Sequence, residues 1–225
     1  MTLSQWFLPH RKTTITQTGR TRHQGNKYVI VDVEITRRET AKAHVPGEAG
    51  IWMLIFGDLT VFGLFFLTFS YYRSQDLSLY VTSQQTMHRG FGLINTLLLL
   101  TSSWFVARGV EEARQGHRIL SGRLILGALA CGIGFCVVKA LDYRETILAG
   151  TTLNTNEFYT FYFMFTGIHL LHVIIGMGVL VFMLSVSSRT SLEVADISNL
   201  ESGGVFWHMV DLLWIFLFAL FYILR

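Results

Sequence analysis

The sequence predicts an all-α, polytopic membrane protein: a five-helix transmembrane bundle preceded by a polar, basic tail. Three observations carry this. Hydrophobic residues make up 51% of the 225 and the mean hydropathy is +0.44, too apolar for an ordinary soluble domain of this length. Five apolar runs, at 50–72, 91–107, 124–141, 158–188 and 203–224, approach or exceed the ~20 residues needed to cross a ~30 Å hydrocarbon layer. Basic residues alternate between rich and poor connections, as they do in multi-span proteins.

Residues 1–46 read as a cytoplasmic tail and 47–225 as the membrane domain. The tail is unlike an apolar secretory leader, with Lys and Arg well in excess over Asp32, Glu34 and Glu39. Within it Val29, Val31, Val33 and Ile35 alternate with Ile30, Asp32, Glu34 and Thr36, a strand-like period, and 13–17 offers a second strand. Such a hairpin is marginal alone and needs a docking surface. Pro46, Gly47 and Glu48 punctuate the approach to the first span.

On the first span Phe62, Phe65, Phe66 and Phe69 recur at helical spacing on one face, while Gly57 and Gly63 permit close backbone approach. The second carries Asn95, Ser102 and Ser103. In the third, Ala128 with Gly132 and Ala130 with Gly134 form small-xxx-small pairs that favour tight packing. Cys131 and Cys136 there point to different helix faces and read as small packing residues. Lys139 and Asp142 close that span, placed to reach toward the interface. The fourth run has no formal charge and is long enough to tilt or to extend beyond the bilayer. The fifth is interrupted by His208 and Asp211 on one face, flanked by Trp207 and Trp214.

With the N-terminus cytoplasmic, the tail, Arg108, Arg114, Arg118, Arg123 and Arg189 share one side. Arg73, Arg89, Arg144 and Arg225 take the other. This predicts N-terminus in and C-terminus periplasmic. The asymmetry accounts for the pI near 9.0 without nucleic-acid binding. Both prolines precede the membrane and no inverted repeat is visible, which argues against a transporter built on broken helices.

Polar and ionisable groups inside a bilayer are costly and need partners. The set is Asp58, Asn95, Lys139, Asp142, His169, His172, His208 and Asp211, with Glu48 and Glu145 at the edges. His169 and His172 share a face of the fourth span. They are read either as haem or metal ligands or as members of a structural hydrogen-bond network with the acids. A bis-His haem requires ligands on facing helices, and the fifth span offers His208 alone. No Cys/His metal cluster, phosphate-cradling glycine loop or nucleophile–base pair is recognisable, so no catalytic, cofactor or metal residue is assigned.

Two motifs in order and spacing carry a resemblance: Thr166 to Gly176 around His169 and His172, and Trp207, His208, Met209, Val210, Asp211, Leu212, Leu213, Trp214 with the residues that follow. Together with Leu93, Ile94, Asn95, Thr96 and with Asp142, Tyr143, Arg144, Glu145, they resemble subunit III of the haem-copper respiratory oxidases from about Gly47 to Arg225. The resemblance implies a helical subunit without haem or copper of its own. It would lie beside a haem- and metal-bearing catalytic subunit and among membrane lipids in a bacterial inner membrane, supporting turnover. Larger members have seven helices, of which two form a lipid cleft; this chain has five. Pro46 to Trp52 and Leu99 to Phe105 are most similar to the NorE-type branch associated with nitric oxide reductase. Family analogy sets the first and second spans against the partner; on them Gly57, Gly63, Ser102 and Ser103 permit close approach, and Phe62 and Phe66 face either the partner or lipid. The alternatives are a small b-type cytochrome using His169 or His172 with His208, and a standalone assembly factor or transporter.

Overall fold

The computed structural model describes residues 49–189 and 193–224. The expected tail hairpin and Glu48 lie outside them. Seven segments follow one another: α1 (Ala49–Gln75), α2 (Leu77–Gln85), α3 (Arg89–Arg114), α4 (Arg118–Leu148), α5 (Glu157–Ser187), α6 (Val194–Phe218) and a terminal π-turn (Ala219–Ile223). Among the described residues, five helices are long and apolar enough to cross a membrane, with the fifth running from α6 through the π-turn.

The helices outrun the apolar runs because polar turns continue them past the hydrocarbon. α4 extends seven residues beyond the predicted end at 141, and α6 starts nine residues before the predicted 203. A capping box starts α6: Glu193 and Asp196 exchange side-chain bonds with each other's backbone, and Arg189 Nη1 lies 2.6 Å from Asp196 Oδ1. The short α2 was not expected from the apolar pattern. Asp76 caps it, accepting from the Leu79 amide at 3.1 Å and the Ser78 hydroxyl at 2.8 Å, and these bonds lower its carboxyl pKa. Tyr80 of α2 is fully buried, which pushes its phenol up to about 12. Asn156 caps α5 by accepting from the Tyr159 amide, and its Nδ2 donates to Ser83 Oγ, tying α2 to α5.

The turn between α3 and α4 is three residues long and uses Gly116 at φ 84°, a left-handed conformation that a side chain disfavours. The two helices pack as a hairpin along their length. α6 is the innermost helix, touching α1, α3 and α5, while α4 bridges α3 and α5. Trp207 of α6 is fully buried against α5 and α4. Cβ atoms added at Gly176 and Gly132 would come within 2.8 Å and 3.2 Å of its ring. α1 joins the bundle through aromatic rings: Phe65 stacks on Phe165 at 5.1 Å and Phe69 meets Phe221 at 5.2 Å. Met53, Phe56, Leu67, Trp104, Ile133 and Ile174 project outward from the bundle.

Candidate functional site

The most concentrated polar chemistry lies inside the bundle, where α4, α5 and the π-turn meet. Lys139 and Asp142 are 0% and 1% exposed. Lys139 Nζ is 2.9 Å from Asp142 Oδ2 and donates to the Tyr162 hydroxyl at 2.8 Å. Tyr162 and Tyr222 donate their own hydroxyls to the same Oδ2, at 2.6 Å and 3.1 Å. The ammonium also lies over the rings of Tyr143, Tyr162 and Trp214 at 4.8, 4.5 and 5.4 Å. Such a pair survives in a low-dielectric interior only with close geometry and extra hydrogen bonds, and both are present.

This corrects the expectation that Lys139 and Asp142 reach toward the interface. Because α4 continues to Leu148, both residues are inside the helix, and the phenols of Tyr162 and Tyr222 supply the polar environment that the interface would have supplied. The π-turn widens the helix just where Tyr222 meets Asp142, while Gln84 Nε2 donates to the Leu220 carbonyl at 3.0 Å. Next along α5, Thr166 donates to the Tyr162 carbonyl, which can only accept, so the Tyr143 hydroxyl donates to Thr166 at 2.7 Å.

The remaining predicted residues are dispersed over several helix pairs. His169 is fully buried between Phe135 and Trp214, with ring centroids at 5.7 and 5.3 Å. Trp214 Nε1 donates to Thr96 Oγ1 at 3.1 Å, beside buried Asn95. His172 turns to α1: its Nε2 lies 3.4 Å from Asp58 Oδ2 and its Nδ1 lies 2.9 Å from the Ile168 carbonyl. Since that carbonyl only accepts, Nδ1 carries a hydrogen and Nε2 is the atom turned to the carboxylate. His208 Nδ1 meets Ser103 Oγ at 2.6 Å, and the same hydroxyl lies against the Asp211 carboxylate. His208 and Asp211 therefore join α6 to α3. Glu145 is exposed, 3.6 Å from His88, at the rim of an open groove of about 600 Å³ lined by Arg89, Gly90, Phe91 and Ile94.

Part of the expected partner surface is turned inward: Phe62 and Ser102 are buried, while Gly63, Phe66 and Ser103 are half-buried. Phe62 is 2% exposed and edges against His172. Phe66 packs on Phe216, Ser102 donates to the Ala128 carbonyl at 2.9 Å, and Ser103 is engaged by His208. Within that expected surface, Gly57 and Gly63 leave open space around a notional Cβ. The aromatic periodicity was legible, but an apolar stripe is equally suited to lipid, a partner or the chain's own core. Tyr162 and Tyr222 were not among the expected members of the network; Tyr162, Thr166 and His169, spaced four and three apart, were the available signal for one polar face. At the end of the bundle opposite the π-turn, Arg114 pairs with Glu201 at 2.9 Å, and Glu112 takes both Arg108 and His117.

Among the described residues, no group of three or more His, Cys, Asp or Glu is arranged to hold a metal ion. Fold and site together define a five-span helical membrane protein whose buried ionisable groups join its own helices to one another. Comparison with known sequences makes the class specific. The chain belongs to the cytochrome c oxidase subunit III family, whose match covers residues 27–225. It is 25% identical to the heme-copper oxidase subunit I+III of Aeropyrum pernix, over 78% of this chain and 22% of that one. It is 27% identical to the quinol oxidase subunit 3 of Bacillus spizizenii, over 78% of this chain and 85% of that one. The cytochrome c oxidase subunit 3 of Schizophyllum commune is 34% identical over 58% of this chain and 47% of its own length. The chain thus spans about a fifth of the archaeal protein and about half of the fungal one.

Proposed function

We propose that this chain is a non-catalytic membrane subunit of a haem-copper respiratory complex, bound beside a catalytic subunit that carries the haem and metal, with no cofactor of its own. One observation carries the reading: the family match covers all five spans, while His172 faces Asp58 of α1, His208 meets Ser103 of α3 and His169 is packed between the rings of Phe135 and Trp214. The Aeropyrum relative bears the name of subunits I and III together, which supports a side-by-side arrangement of the two. Polar pairs joining α1 to α5, α3 to α6 and α4 to α5 would hold the bundle rigid against such a partner.

The orientation proposed is N-terminus cytoplasmic, C-terminus periplasmic, in a bacterial inner membrane. Arg108, Arg114, Arg118, Arg123 and Arg189 gather at one end of the bundle and Arg73, Arg89 and Arg144 at the other, which supports it. The partner is an oxidase or, on the resemblance to the NorE-type branch, a nitric oxide reductase. Gentle detergent extraction from cells grown with oxygen and under denitrifying conditions tests all of this. Co-purification with a haem-bearing subunit in one condition identifies the complex. Recovery only as a free chain, with unaltered oxidase and reductase turnover when the gene is deleted, overturns it. A Soret band intrinsic to the isolated chain would instead make it a b-type cytochrome.

A further inference from the structure

We infer that the polar centre around Trp214 binds internal water. Asp142 is lopsided: Oδ2 receives Lys139, Tyr162 and Tyr222, while Oδ1 is buried without a protein partner. His169 is 0% exposed and neither ring nitrogen has one. Asn95 is 1% exposed and neither amide atom has one. Buried polar groups in folded proteins nearly always find partners, and ordered water is the usual one where protein atoms do not serve.

Lys139, His169 and Thr96 each lie against Trp214, with Asp142 bonded to Lys139 and Asn95 adjoining Thr96 in the chain. On α4, Phe135, Lys139 and Asp142 follow one another on a single face, opposite Tyr162, Thr166 and His169 of α5. Trp214 spans the layer. Its ring lies 5.3 Å from the His169 ring and 5.4 Å from Lys139 Nζ, and its Nε1 holds Thr96 beside Asn95.

The hydrogen-bonding demand selects the ligand. Asp142 Oδ1 needs a donor. A neutral imidazole needs one donor and one acceptor, and the Asn95 amide needs both. A cation would be repelled by the Lys139 ammonium and an anion by the Asp142 carboxylate. Water supplies both donor and acceptor without charge, and a buried water commonly makes about three hydrogen bonds. It would also receive the third N–H of Lys139, which Asp142 and Tyr162 do not use.

The test uses the full chain in lipid nanodiscs. Infrared spectra are recorded in ordinary and heavy-oxygen water, and the weakly hydrogen-bonded O–H stretch of internal water is read by its isotope shift. An isotope-shifted band in the wild type, reduced by His169→Phe or Asn95→Leu, is the result expected. Both variants should also melt below the wild type, because an apolar ring or isobutyl group displaces bound water and its bonds. No such band in the wild type overturns the inference, and so does a band untouched by both variants. Melting temperatures raised in both also overturn it, since replacing dry, unpaired polar groups by apolar ones stabilises. The wild-type spectrum decides even if one variant does not insert.

Discussion

Replacing Lys139 by Met keeps the length of the side chain but removes the charge that Asp142 faces at 2.9 Å. Both side chains are almost fully enclosed, so bulk solvent does not take over the role. Removing one partner of a buried pair costs about 3–5 kcal/mol, because the remaining charge is stranded. The retained phenol bonds from Tyr162 and Tyr222 put Lys139→Met toward the lower end of that range. Asp142→Asn strands the ammonium instead and should cost a similar amount. Either loss is a large fraction of the ~5–15 kcal/mol that holds a typical domain together. The double variant Lys139→Met/Asp142→Asn removes both charges yet leaves an amide oxygen to accept from the two tyrosines. It is expected within about 1 kcal/mol of wild type, since a neutralised buried pair is often no less stable than the charged one. Unfolding in mixed detergent micelles, followed by tryptophan fluorescence and helical circular dichroism, measures all four species. The reasoning is refuted if each single variant is near wild type, or if the double variant loses the sum of the two single losses.

Three further outcomes follow from particular contacts. Gly176→Ala drives a methyl to 2.8 Å from the Trp207 ring, which Gly132 confines from the other side, so overpacking of about 1–3 kcal/mol should outweigh the ~1 kcal/mol helix-propensity gain. Gly178→Ala, two residues on with open space, should instead be neutral or stabilising in the same melting assay; equal effects at the two sites would reject the steric account. Ser103→Ala removes the hydroxyl between His208 and Asp211 and should lower stability by about 0.6 kcal/mol, the average for a hydrogen bond in a membrane bundle; no change in unfolding, alone or with His208→Phe, would show the contact to be idle. Folding lowers the Asp76 pKa below its ordinary 3.8, so the ionised cap favours the folded helix. Its contribution is complete above the ordinary carboxylate value and is lost as pH falls through the lower folded value. Hydrogen exchange at the Leu79 amide, corrected for intrinsic pH dependence, should lose protection in that acid window and not in Asp76→Ala, which has none to lose.

The five spans and their helical character were legible from composition and length, because crossing hydrocarbon is a local demand that each apolar run meets by itself. The order of the polar motifs, and with it the family, was legible for the same reason: His169, His172, His208 and Asp211 stand at recognisable spacings along single helices. The short α2 escaped because Leu77–Gln85 is too short to register as a span and owes its start to one carboxylate at Asp76. Which way each helix faces was decided only by the tertiary structure. In a membrane protein the interior and the lipid are both apolar, so the stripe of Phe62, Phe65, Phe66 and Phe69 carried no direction until Phe165, Phe216 and Phe221 packed against it. Pairing was decided there too. Lys139 and Asp142 are three residues apart, but the phenols that enclose them come from positions 162 and 222, on two other helical segments. Their meeting depends on helix rotation and register, which contacts such as Trp207 over Gly176 set and no single segment encodes.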